Sequence, residues 1–176
     1  HHDELLLVRG HDIHITGIHF RYSGYSAMND YASVKLVDCE RVWVENNLVE
    51  EAYFGIHVSN SRLVFIRGNR IFGKPTSEQL AGNGIHLWKS ANALVEYNEI
   101  TGHRDGIYFE FVTASLINKN NSHGNIRYGL HFMFSNHDLY TSNSFRDNGA
   151  GVAVMYSSGV TMMSNRFEHN WGPSSY

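Results

Sequence analysis

Cysteine occurs once in these 176 residues, as Cys39, and proline only twice. A lone cysteine has no partner within the chain, so disulfides do not hold this fold together. No apolar run approaches 18 residues, so no segment reads as a membrane-spanning helix. Basic clusters are missing too. The formal charge is -3 and no Lys/Arg stripe occurs, which removes the electrostatic footprint expected of a nucleic-acid-binding protein. His1-His2 reads as the remnant of a tag.

What the chain does have is a beat. Asn47, Asn69, Asn98, Asn120, Asn143 and Asn165 follow one another at intervals of 22, 29, 22, 23 and 22 residues. A small residue stands 14 positions before each of them: Ser33, Gly55, Gly84, Gly106, Gly129 and Gly151. A period near 22 is the signature of a solenoid. Around these markers the apolar positions recur. Val44, Ile66, Val95, Ile117, Tyr140 and Met162 lie three residues before the asparagines. Val34, Ile56, Ile85, Ile107, Leu130 and Val152 directly follow the small residues. Within each segment apolar and polar residues alternate, which predicts short strands with one buried face. A unit of this length holds about three short strands and three turns. The expectation is an all-β protein: a right-handed parallel β-helix of about seven rungs, with like positions about 4.8 Å apart along the axis. Identical asparagines stacked at a turn can satisfy one another's amide groups along that axis. The small residues mark a close approach of backbones or a positive φ entering the next strand.

Residues 1–176 read as one β-helix domain. One insertion breaks the beat, between Asn69 and Gly84, and residues 73–83 are expected to protrude as a loop. In the first rung Ile18 stands where the asparagine would be, and Tyr22–Tyr31 forms a second long stretch on the same side. Neither end shows a polar cap, so the expectation is a segment of a longer solenoid with both ends truncated.

Alternation also identifies the outer face. Two residues beyond the small residue come Lys35, His57, His86, Tyr108, His131 and Ala153, expected to face solvent. Four beyond come Val37, Ser59, Trp88, Glu110, Met133 and Met155. Met133 and Met155 should stack about 5 Å apart, with Glu110 one rung before and His131 about 7 Å away. Thioether and imidazole together suit the soft ion Cu(I), so His86, Glu110, His131, Met133 and Met155 are the candidate metal residues. The plainer alternative is a patch that a partner protein or a flanking loop covers. His103, His123 and His169 fall in different registers near turns and form no column. Parallel β-helices that act on acidic polysaccharides need paired carboxylates or a calcium-binding acidic cluster. Here Asp105, Asp138 and Asp147 fall in three registers, so a carbohydrate-binding or carbohydrate-cleaving role rests on fold analogy alone.

The segment RYGLHFMFSNHDLYTSNSFRDNGAGVAVMY at Arg127–Tyr156, with DGIYFEF at Asp105–Phe111 and NRFEHNWG at Asn165–Gly172, resembles the NosD family of nitrous oxide reductase maturation proteins. The resemblance extends through all rungs and is strongest from Asp105 to Gly172. It implies a periplasmic accessory protein, without enzymatic activity of its own. Such a protein works with ABC transporter subunits and a copper lipoprotein to assemble the copper–sulfide centre of nitrous oxide reductase. Copper is then its cargo. The resemblance carries over no ligand set, so the metal residues remain those of the two outer columns. A scaffold that docks partners without touching metal stays open beside it.

Overall fold

The structure is a computed structural model, and it describes residues 4–25, 29–74 and 78–171. His1-His2, and parts of the two expected protrusions (residues 26–28 and 75–77), lie outside the described residues. Among the described residues every strand pairing is parallel, and the single helical element is one 3-10 turn at Glu78–Leu80. No helix among them is long and apolar enough to cross a membrane.

From Phe54 onward each rung contributes three strands, while the two rungs before it contribute two each, one of them long. The glycine-led strands Phe54–Ser59, Ile85–Trp88, Asp105–Glu110, Tyr128–Met133 and Ala150–Met155 lie side by side. The strands leading to the asparagines (Arg62–Arg67, Leu94–Glu96, Leu116–Asn118, Leu139–Thr141 and Thr161–Met163) form a second face. The long strand Ala32–Glu45 pairs with both Phe54–Ser59 and Arg62–Arg67 and joins these two faces at one end. Strands after the asparagines make a separate seven-stranded sheet, from His19–Arg21 to Arg166–Glu168. Like residues stand in register: Ile56 pairs with Ile85, Ile85 with Ile107, Ile107 with Leu130. All four are fully buried, so the core is a column of aliphatic side chains shared by successive rungs.

The asparagines form the expected ladder. Asn47 Nδ2 donates to Asn69 Oδ1 at 3.0 Å, and the contact repeats through Asn98, Asn120 and Asn143 to Asn165 at 2.9–3.0 Å. The second amide proton goes to a backbone carbonyl, for example Asn98 to Ile66 and Asn120 to Val95. Each side-chain oxygen also accepts a backbone N–H, as Asn120 Oδ1 does from Asn98. Ile18 sits at the head of the column and donates its backbone N–H to Asn47 Oδ1 at 3.0 Å.

Positive φ falls elsewhere than on the strand-opening glycines. It is carried by the residue before each asparagine: Asn46, Gly68, Tyr97, Lys119, Ser142 and Ser164, with φ between 52° and 63°. The strand-opening glycines are needed for close approach instead. A Cβ on Gly84 would stand 2.3 Å from Ile100 Cγ2 and 2.6 Å from the Gly106 carbonyl oxygen.

A second amide ladder runs five residues after the first. Asn125 Nδ2 donates to Asn148 Oδ1 at 2.9 Å, and Asn148 Nδ2 to Asn170 Oδ1 at 3.1 Å. His103 heads this column, its backbone N–H donating to Asn125 Oδ1. Cys39 likewise occupies a serine column: its N–H donates to Ser61 Oγ, as Ser61 N–H does to Ser90 Oγ.

Candidate functional site

Strand alternation places Ile107 and Phe109 in the core and Tyr108 and Glu110 on the opposite face of the same strand. In register with Tyr108 stand His57, His86, His131 and Ala153. The four rings make a continuous run: edge-to-face at 4.9 Å between His57 and His86, tilted at 4.7 Å between His86 and Tyr108, and stacked at 4.6 Å between Tyr108 and His131. The histidines do not face solvent as alternation alone predicts. His57, His86 and His131 are 4%, 7% and 3% exposed. Rings one rung apart shield each other. Two of the residues that precede strand-opening glycines also lean over the column, Phe54 against His57 and His86, and Tyr128 against His131.

Burial leaves polar atoms without partners. His57 Nδ1, both ring nitrogens of His86, and His131 Nε2 have no hydrogen bond within the protein. An unpaired buried donor costs about 1–3 kcal/mol, so three such rings on one face are expensive unless something else meets them. Burial, and then the neighbouring His86, hold the His57 imidazole down at about 3, well under its ordinary value.

The adjoining column runs Ser59, Trp88, Glu110, Met133 and Met155, in register. Glu110 pairs with Met133, and Met133 with Met155, as the repeat predicts. Glu110 Oε2 lies 3.8 Å from His86 Nε2. His86 is the main influence lowering the Glu110 pKa, against the opposing effect of partial burial. Asp30 Oδ2 stands 3.7 Å from His57 Nε2. Asp30, His57, Ser59, His86, Trp88 and Glu110 line a cleft of about 310 Å³.

His131 belongs to a different group. Its Nδ1 is 3.3 Å from Asp105 Oδ2, and Arg127 clamps the same carboxylate with Nε 3.1 Å from Oδ1 and a terminal nitrogen 3.0 Å from Oδ2. Burial works to raise the Asp105 carboxyl, but His131 and Arg127 outweigh it and hold it below the usual range. Tyr108 lies between the two groups, its phenol pushed up to about 12 by burial and then by Glu110 and Asp105.

The five residues expected to bear metal therefore do not form one cluster. His86 and Glu110 come together, Met133 and Met155 continue the Glu110 column, and His131 turns to Asp105 behind Tyr108. Among the described residues no three of His, Cys, Asp or Glu converge closely enough to hold an ion. The donors themselves suit copper: thioether sulfur, imidazole and one carboxylate, with buried ring nitrogens left open. Sequence reasoning passed over the Asp105–Arg127 clamp, although the 22-residue offset between them is the rung spacing itself.

A parallel β-helix carrying its polar, sulfur-bearing column on one outer sheet is the class that this architecture defines. Residues 73–176 match the family described as "Periplasmic copper-binding protein (NosD)", and the chain belongs to that family. It is 35% identical over 104 residues to the "Probable ABC transporter binding protein NosD" of Stutzerimonas stutzeri, covering 57% of this chain and 24% of that protein. The chain thus spans about a quarter of the curated relative's length. Among solved structures, a point mutant of the periplasmic alginate epimerase AlgG is similar, with a TM-score of 0.73 at 15% identity over 90% of this chain and 41% of the epimerase. DFA-IIIase from Arthrobacter chlorophenolicus gives 0.69 at 15% identity over 77% of this chain and 36% of the other. At such identities these likenesses carry the fold alone.

Proposed function

We propose that this chain is the copper-handling part of a periplasmic accessory protein that associates with an ABC transporter and is not itself an enzyme. Along its outer sheet, Glu110, Met133 and Met155 meet Cu(I) that is passing between partners, with His86 and His131 buried beside them. Those partners are the transporter subunits, a copper lipoprotein and nitrous oxide reductase, whose copper–sulfide centre receives the metal. The observation that carries the reading is the register pairing of Met133 with Met155 directly beyond Glu110. Two half-buried thioethers on adjacent rungs give a soft, shallow, releasable site, which suits a carrier. The copper-binding description of the family and the transporter-binding name of the relative support the same direction.

A carbohydrate-acting role comes second. The alginate epimerase shares the fold, and this face holds an Asp–His contact beside an Arg. Asp105, however, is fully buried and clamped by Arg127, so its carboxylate cannot reach a sugar without dismantling that pair.

The test is maturation of the reductase by the full-length protein. Met133→Leu/Met155→Leu keeps side-chain volume and removes only the soft donors. Loss of reductase copper loading with normal protein levels supports carriage. Unchanged loading rejects it and leaves a docking scaffold.

A further inference from the structure

The two departures from the repeat wall a single cavity. The long stretch after Arg21 supplies Tyr22 and Tyr25, and the insertion after Asn69 supplies Lys74 and Leu80. Tyr53 and His103, from the turns of other rungs, help close it to about 220 Å³. It shares no lining residue with the cleft at His57, His86 and Glu110, and none of the five copper candidates lines it. In a solenoid, insertions that break the period gather on one face, often the binding face. Both walls are pinned to the rungs. The Tyr53 N–H donates to Ser23 Oγ at 2.9 Å, and the Arg104 N–H donates to the Gly82 carbonyl at 2.8 Å. A Cβ on Gly82 would stand 2.4 Å from the Tyr53 carbonyl oxygen, so the insertion presses directly on that turn. The cavity is thus built into the fold, as small-ligand sites usually are.

Its lining is amphipathic. Tyr25 and Tyr53 meet edge to face at 4.9 Å, while Tyr22 and Tyr25 remain 51% and 43% exposed. Tyr22 is held at a φ of 64°, a costly conformation for a bulky residue and one that collects at functional sites. Arg21 donates to Glu51 Oε1 at 2.8 Å, whereas Lys74 Nζ stays 3.7 Å from Oε2, too far for a hydrogen bond. Arg21 therefore serves Glu51, and the Lys74 ammonium is left for an anion. His103 is buried, and its Nε2 has no partner within the protein. Burial lowers it to about 4, against the backbone of Tyr53 and Gly82, so the ring is neutral at pH 7 and can give and take one hydrogen bond. A purely apolar ring would leave these polar groups unmet.

We propose that this cavity binds one acidic sugar unit of the hexuronate class. The apolar face of the sugar ring lies on the tyrosines, its carboxylate meets Lys74, and its hydroxyls meet Glu51 and His103. The volume falls below the roughly 300–1,000 Å³ of sites for larger ligands, which limits the occupant to a single ring. Among the described lining residues Glu51 is the only carboxylate, so the pocket holds a sugar without the paired carboxylates that cleave one. Nothing in it depends on the copper reading.

Galacturonate is the probe, with galactose and phenylacetate beside it, in saturation-transfer NMR titrations of the whole protein. Galacturonate should bind about tenfold more tightly than galactose, and phenylacetate should not displace it. Lys74→Gln should bring galacturonate down to the level of galactose. Tyr25→Ala should weaken both sugars about tenfold, the scale of losing an aromatic anchor. Both side chains are exposed, so neither change should unfold the chain. A galacturonate trimer that binds more tightly than the monomer would identify the end of a glycan as the source, and equal binding the free sugar. Galacturonate binding undiminished in both variants would place the sugar elsewhere and overturn the proposal, as would no transfer to either sugar. Displacement by phenylacetate would assign the cavity to aromatic acids and overturn it too. Met133→Leu/Met155→Leu should leave galacturonate binding unchanged, and Tyr25→Ala should leave Cu(I) binding unchanged, so this pocket and the copper reading fail separately.

Discussion

Asn98 Nδ2 donates to Asn120 Oδ1 at 2.9 Å, and the Asn98 backbone N–H donates to the same oxygen at 3.0 Å. One side-chain oxygen thus satisfies two buried donors of the rung before it. Asn120→Ala strands both, and leaves the Val95 carbonyl without its donor. At about 1–3 kcal/mol for each unsatisfied group, the expected loss is roughly 3 kcal/mol or more. Asn165→Ala, on a half-buried rung where water can replace the amide, should cost clearly less. Urea melts of the two variants check the ranking, and equal losses would contradict a ladder that works by excluding water.

Gly84 has no spare room for a side chain. A methyl group there would meet Ile100 Cγ2 at 2.3 Å and the Gly106 carbonyl at 2.6 Å, and backbone cannot swing aside as a flexible side chain can. Gly84→Ala should therefore destabilise by about 1–3 kcal/mol through overpacking, despite an ordinary φ. A gain in melting temperature would show that the rungs can separate at this point.

Arg127 neutralises a carboxylate with no access to water. Removing it in Arg127→Leu leaves Asp105 charged and buried, with only His131 beside it. Breaking one side of such a pair costs about 3–5 kcal/mol. The loss should shrink at low pH, where Asp105 takes up a proton. A pH-independent loss would place the effect in packing by the Arg127 stem.

Asp138 and His103 predict opposing pH dependences. Asp138 Oδ1 accepts the Ser115 N–H at 2.9 Å, while Oδ2 has no partner, and burial raises the carboxyl to about 7. The folded state then binds more protons than the unfolded state between about pH 4 and pH 7, so this group's contribution to stability falls as pH rises through that window. Burial lowers His103 to about 4, so its contribution is present above about 6.5 and is lost as pH falls toward 4. Asp138→Asn should stabilise the protein at pH 7.5 and have little effect near pH 4. Thermal melts across that range test the sign, and a larger gain at the acid end would contradict it.

Much of this architecture was legible because a solenoid repeats its physics. Any position that must be buried or amide-bearing in one rung must be so in the next, and Asn47 to Asn165 declare it six times. The Asn125, Asn148 and Asn170 ladder escaped notice because it has three members and is headed by a histidine whose backbone, not its ring, makes the contact. The pairing of Met133 with Met155 followed from the period alone. The burial of His57, His86 and His131 did not. Alternation states which side of a strand a residue takes. It does not state that Phe54 and Tyr128, each the first residue of its strand, lean over that side. Nor does it bring Asp30, from a different loop, to His57.

The most direct test of the copper reading is an anaerobic Cu(I) competition titration against a chromogenic chelator, with wild type beside Met133→Leu/Met155→Leu. The account predicts stoichiometric Cu(I) withdrawn from the chelator by wild type and lost in the double variant, with the fold intact by circular dichroism. Equal binding by both proteins, or by neither, would contradict it.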